Sequence, residues 1–158
     1  MREATMDSFD RAILSALQNK GDISLNELSD IVNLSSSQCS RRLQRLKDEG
    51  YIDRIVAILS PAKVNLNVSS FVVVKLHSHS PDIEKRFCNH ISRLNEVVSC
   101  HYITGSSDFI LLVYSRDLQS YREFIAHRLL FSSDIASITS HIILGNVKNV
   151  TTLPLDYS

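Results

Sequence analysis

Up to Gly50 the apolar positions recur at helical spacing. Phe9, Ile13, Leu14 and Leu17 make a stripe that predicts a first helix over residues 6–17, with Asp7 or Ser8 as N-cap. Lys20-Gly21-Asp22 reads as a stop and turn, with Gly21 suited to the left-handed position that closes a helix. Leu25, Leu28, Ile31 and Val32 predict a second helix, and Cys39, Leu43 and Leu46 a third, each with one apolar face toward a core. Both open on Ser-x-x-Glu/Gln, as Ser24 to Glu27 and Ser35 to Gln38. In such a box the serine oxygen accepts from the backbone N–H three residues on, and the Glu or Gln accepts from the serine N–H. Two short capped helices with a brief turn predict a helix-turn-helix. After Gly50, which ends the third helix, YIDRIVAIL (51–59) is β-branched and partly alternating. It predicts a strand, either a small wing or the start of a connection.

Ser60-Pro61-Ala62-Lys63 breaks the pattern, and Asn65 and Asn67 suit turns. This places a domain boundary at about 59–68, between a helix-turn-helix domain (1–60) and a second domain (68–158). Downstream, SFVVVKLH (70–77) predicts a strand. Residues 81–94 predict a helix capped by Ser80, with Pro81 at its first position and Ile83, Phe87, Ile91 and Leu94 inward. Residues 97–103 and DFILLVY (108–114) form a hairpin around Thr104-Gly105-Ser106-Ser107. A helix over 118–130 follows, capped by Asp117, with Leu118, Tyr121, Phe124, Ile125 and Leu129 inward, and IASITSHIIL (135–144) is the last strand. The predicted fold class is α+β: a winged helix-turn-helix domain followed by a ferredoxin-like βαββαβ domain, four antiparallel strands backed by two helices. The unbroken apolar runs FVVV and FILLV predict that the other face of this sheet is buried too, most simply against another subunit.

Composition sharpens the first domain. Lys plus Arg and Asp plus Glu are each 17, so the net charge is zero and a nonspecific polybasic binder is disfavoured. The charge is arranged, however: from Ser36 to Lys47 there are Arg41, Arg42, Arg45 and Lys47 and no acid. For the third helix as a DNA reader, Ser36, Ser37, Gln38, Ser40, Arg41 and Gln44 are candidates to reach bases, since arginine suits guanine and glutamine suits adenine. Arg42, Arg45 and Arg54 are placed for phosphates. Cys39, Cys88 and Cys100 form no C-x-x-C pair, so neither a disulfide framework nor structural zinc is expected, and Cys88 and Cys100 read as small buried hydrophobes. His77 and His79 alternate at a strand end without the neighbours a metal would need. With no apolar leader, and no run approaching the roughly 18 residues of a span, the expected location is the cytoplasm, away from membranes.

The chain resembles the leucine-responsive regulator/AsnC (feast/famine) family. The residues that carry this are MDSFDRAILSALQNKGDISLNELSDIVNLSSSQCSRRLQRLKDEGYIDRIVAILSPAKVNL, YITGSSDFILLV and NVKNVTTLPL, which together cover nearly the whole chain. The resemblance implies an oligomeric transcription regulator that binds double-stranded DNA. It implies dimers paired through the second-domain sheets, which assemble into tetramers, octamers or larger rings, and an amino acid or related metabolite as effector, with no other cofactor. Carried over to the G-x-x-D turn, the effector site would comprise Tyr102, Thr104, Gly105, Ser106, Ser107 and Asp108, where Asp108 suits an ammonium and the N–H groups around Gly105 suit a carboxylate. Leu118 is a further candidate to line that cavity. The chain departs from the family at Ser106-Ser107, where an aromatic usually precedes the aspartate, and at Asn65, where the hinge usually has glycine. Two alternatives share this architecture: a haem-biosynthesis decarboxylase-like enzyme, and an amino-acid sensor that does not bind DNA. The absence of tryptophan and the basic third helix disfavour the enzyme, and the same helix disfavours the sensor.

Overall fold

The computed structural model describes residues 6–130 and 133–156. Residues 1–5 of the first predicted domain and 157–158 of the second lie outside the described residues. The chain divides into two compact units, Met1–Ile58 with Lys148–Ser158, and Leu59–Val147. The second predicted domain therefore ends early. Residues 148–156 return to the first unit, where Gln18 and Leu153 exchange two hydrogen bonds (Gln18 Nε2 to Leu153 O 3.2 Å, Leu153 N to Gln18 Oε1 2.5 Å). Leu155 packs against the three-helix core there.

The first unit holds α1 (Ser8–Asn19), α2 (Leu25–Val32) and α3 (Ser36–Asp48). Each begins with a reciprocal capping box, at Asp7/Asp10, Ser24/Glu27 and Ser35/Gln38. Ile13, Leu14, Leu28, Val32, Cys39 and Leu46 form the core, with Leu17 and Leu43 packed against it. The predicted stripes are only partly inward: Phe9, Leu25 and Ile31 are 39%, 40% and 58% exposed. Three short helices touch along narrow seams, so apolar residues at the stripe margins stay in solvent. Gly21 is not left-handed; Lys20 ends α1 in an extended conformation, and the positive φ values near these turns belong to Asn33 (54°) and Gly50 (79°). Gly21 is instead a close approach, since a Cβ there would lie 3.2 Å from Ile55 Cγ2. Residues 51–59 form no strand. β-branched composition favours an extended backbone, but a strand needs a neighbour to satisfy its ladder, and the described residues supply none.

In the second unit the elements are β1 (Val68–Leu76), α4 (Pro81–Ile91), β2 (Val97–Tyr102), β3 (Phe109–Ser115), α5 (Leu118–Phe124) and β4 (Ile135–Ile142). A 3-10 turn over Pro61–Val64 precedes them and ends on Asn65, left-handed at φ 61°. The helix predicted for 118–130 changes at Ile125 into a π-helical turn, Ile125–Leu129. Strand order is β2-β3-β1-β4, all antiparallel, which is the predicted ferredoxin-like topology. Ser80 and Asp117 cap α4 and α5 as expected. The helices cover one face of the sheet: Val72, Val74, Leu76, Leu111 and Val113 meet Phe87, Ile91, Leu94, Tyr121, Phe124 and Leu129 in a single core. The opposite face carries Phe71, Val73, Ile110 and Leu112, matched across β1 and β3 (Phe71 to Leu112, Val73 to Ile110). Phe71 is 43% exposed on a central strand. Cys88 and Cys100 are exposed, not buried as predicted.

Candidate nucleic-acid interface and effector site

Alternate faces of α3 serve opposite purposes. Cys39 and Leu46 are fully buried, while Ser37, Ser40, Arg41 and Gln44 line one open face, bordered by Arg45, Asp48 and Glu49. Arg41 is exposed and in no ion pair among the described residues. Gln44 donates to Asp48 Oδ1 at 2.8 Å, so its amide is engaged within the helix. Ser36 and Gln38 work locally: Ser36 Oγ donates to Asn26 Oδ1 at 3.1 Å, and Gln38 Oε1 accepts from the Ser35 backbone N–H at 3.1 Å. Arg54 is 78% exposed beside Asp53, beyond α3.

Arg42 and Arg45, expected at phosphates, are engaged within the chain. Both turn to the carboxylate of Asp10, whose side chain is 1% exposed: Arg42 Nη1 lies 2.8 Å from Oδ1 and Arg45 Nη2 2.5 Å from Oδ2. Arg42 also meets Asp7 Oδ2 at 2.8 Å and sits 5.4 Å above the Phe9 ring. A hydrogen bond from the Asp10 backbone N–H, with Arg42 beside it, holds the Asp7 carboxyl below its usual value. The Asp10 carboxylate raises that of Arg42. Charge counting along α3 missed this because the partner lies on another helix. The readable signal was the second aspartate of Asp7-x-x-Asp10, at the third position of α1.

In the second unit the 104–107 turn sits where the hairpin predicts. Gly105 has φ 119°, a conformation side chains rarely adopt, and a Cβ there would meet nothing within 4 Å. Thr104, Gly105 and Ser106 are exposed and Ser107 is half-buried. Asp108 is 7% exposed and fastens the turn to β1: its Oδ2 accepts from the Leu76 N–H at 2.7 Å, and its own N–H donates to Val74 O at 2.9 Å. Its Oδ1 faces His79 Nδ1 at 3.4 Å, a neighbour the sequence reading set aside. Tyr102 packs edge-on against Phe109, centroids 5.0 Å apart, and its hydroxyl reaches Glu84 Oε1 at 3.4 Å. The negative charge of Glu84, ahead of burial and Asp108, raises the Tyr102 pKa. Leu118 does not join this group. It is 63% exposed, past the far end of β3 from the turn. The seven-residue span of β3 separates them by roughly 20 Å.

A capped helix-turn-helix with an open serine, arginine and glutamine face, followed by a βαββαβ unit with a glycine turn, defines a DNA-reading regulator with a small-molecule domain. Comparison with known proteins agrees. Residues 6–53 match the sequence profile described as winged helix-turn-helix DNA-binding, and residues 69–153 that of the Lrp/AsnC ligand binding domain. A transcriptional regulator from Neisseria meningitidis, solved as a complex with L-Met, superposes with TM-score 0.93 at 34% identity, covering 97% of this chain and 99% of that one. An AsnC family regulator from Agrobacterium tumefaciens gives TM-score 0.90 at 36% identity, covering 96% and 99%. The DNA-binding transcriptional activator DecR of Escherichia coli is 31% identical, covering 96% of this chain and 99% of that protein. The chain belongs to the Lrp/AsnC family of transcription regulators. These relatives are named as regulators and not as enzymes. Among the described residues no helix is long and apolar enough to cross a membrane.

Proposed function

We propose that this regulator works as an oligomer whose reading helix α3 contacts DNA through Ser37, Ser40, Arg41 and Gln44, and whose DNA affinity is set by an amino acid bound at the 104–108 turn. The observation that carries the reading is the pairing, in one chain, of an exposed capped reading helix with a domain matching the Lrp/AsnC ligand binding domain. The L-Met complex of the Neisseria regulator supports an amino acid as the effector class.

The turn offers both halves of amino-acid recognition. Exposed N–H groups around Gly105 suit a carboxylate, and Asp108 Oδ1 with Glu84 suits an ammonium. Asp108 spends its other oxygen on Leu76, so one oxygen remains for a ligand to contest with His79. The apolar sheet face of Phe71, Val73, Ile110 and Leu112 supports self-association, because aromatic and aliphatic side chains at the middle of a sheet gain most from being covered. Two reading helices held about one turn of DNA apart bind a site that one cannot hold.

The test is a thermal-shift screen of the common amino acids, repeated with labelled duplex and sized by light scattering. A cognate amino acid raises the unfolding midpoint, since it binds only the folded state, and changes DNA affinity. If no amino acid did either, the effector assignment would be wrong; a monomer at working concentration would defeat the oligomer.

A further inference from the structure

Four cations lie on α3 between Arg41 and Lys47, but they are not equivalent. Arg42 and Arg45 are three residues apart, so they share one side of the helix, and both guanidinium groups end on the same carboxylate, Asp10. That carboxylate cannot follow them outward. It sits in the first turn of α1, its Oδ2 accepts from the Asp7 backbone N–H at 3.1 Å, and its side chain is 1% exposed. Asp7 and Phe9 close on Arg42, and Glu49 lies 3.9 Å from Arg45. Arg41 is turned about 100° from Arg42 around the axis, on the open face with Ser37, Ser40 and Gln44; Arg45 borders that same face, but its guanidinium is held by Asp10.

We propose that Asp10 is a positioning residue that partitions the α3 arginines, holding Arg42 and Arg45 as internal counter-ions that lock the reading helix to α1 and leaving Arg41 as its DNA-directed arginine. The inference rests on the DNA-reading function and goes beyond it, because it specifies which cations displace counter-ions from DNA. Each side-chain cation that neutralises a phosphate adds to the salt dependence of binding, whereas one already neutralised by a buried carboxylate adds nothing. Of the three arginines on the helix, one then faces DNA.

The distinguishing readout is the slope of log affinity against log salt, measured by fluorescence anisotropy on the full chain. The probe is a labelled duplex that the protein itself enriches from a random pool. Arg41→Gln flattens the slope by about 0.9 per reading helix. Arg42→Gln and Arg45→Gln weaken binding by a similar factor at every salt concentration and leave the slope unchanged, because they misplace α3 without removing a phosphate contact. Asp10→Asn, which keeps the shape and removes the charge, steepens the slope by up to about 0.9 for each arginine it releases. The partition is overturned if either Arg42→Gln or Arg45→Gln flattens the slope as Arg41→Gln does, or if folded Asp10→Asn leaves it unchanged. Should Asp10→Asn fail to fold, the two arginine variants decide alone. A wild-type chain that enriches no duplex would take down the DNA-reading function together with the partition, whereas a flattened Arg45→Gln slope takes down only the partition.

Discussion

Replacing Asp10 by alanine removes three interactions at once. They are the return bond of the α1 capping box (3.1 Å) and the contacts to Arg42 (2.8 Å) and Arg45 (2.5 Å). Truncating one partner of a fully buried ion pair costs about 3–5 kcal/mol, mostly because the remaining charge is left without a counter-ion. Here the penalty is softened. The arginine side chains are 24% and 39% exposed, and they keep Asp7 and Glu49 as alternatives. Loss of the cap bond adds a few tenths to one kcal/mol, so the expected cost is about 2–3 kcal/mol. In a unit of this size that lowers the unfolding midpoint by roughly 10–20 °C. Hydrogen exchange read peptide by peptide separates the units: amides of α1 and α3 lose protection, while those of β1 and β3 do not change. A double-mutant cycle between Asp10→Ala and Arg45→Ala gives a coupling above about 1 kcal/mol, whereas independent sites add to within about 0.5 kcal/mol. Additivity, or a loss as small as an exposed pair's, would refute the reasoning, because it would mean the network is solvated in solution.

Three further outcomes follow from the same geometry. Glu27 is depressed from its ordinary 4.5 to about 2, first by Lys20 and then by the Ser24 N–H. A depressed carboxyl contributes stability that is complete above its unfolded value and lost as pH falls toward the folded one. Glu27→Gln should therefore flatten the acid limb of the stability profile between about pH 4.5 and 2 and leave its neutral-to-basic shape unchanged; an unaltered acid limb contradicts the assignment. Leu155→Ala, probed by hydrogen exchange, should loosen α1 and spare the β-sheet unit by about 1–2 kcal/mol of local contrast, since Leu155 packs half-buried on the three-helix core. Phe87→Ala reverses that pattern, costing about 3–5 kcal/mol in the sheet unit, because Phe87 is fully buried against Phe109. An equal loss in both units would contradict the two-unit division.

How far the sequence could be read depends on how local each cause is. The serine capping boxes and the Ser80 and Asp117 caps were legible because donor and acceptor lie three residues apart. The βαββαβ order was legible because turn residues punctuate it. Stripe edges were not: periodicity locates the apolar side of a helix but not how much of it a neighbour covers, hence Ile31 and Leu118 in solvent. The strand predicted for 51–59 failed for a related reason, since extended propensity supplies no partner. At the site, the open face of Arg41 and Gln44 could be read from helical phase, and the withdrawal of Arg42 and Arg45 could not. It depends on Asp10, 32 and 35 residues away in sequence.

The return of residues 148–156 to the helical unit also sets an order of assembly. The sheet unit, Leu59–Val147, is continuous in sequence, and every strand it needs has been synthesised before Lys148. The helical unit is discontinuous, and Leu153 and Leu155 reach α1 only afterwards. During synthesis from the N-terminus, domains fold as their residues emerge. The sheet unit thus needs nothing made after Val147, whereas the DNA-reading unit waits for its last packing contact until Leu153 and Leu155 are made.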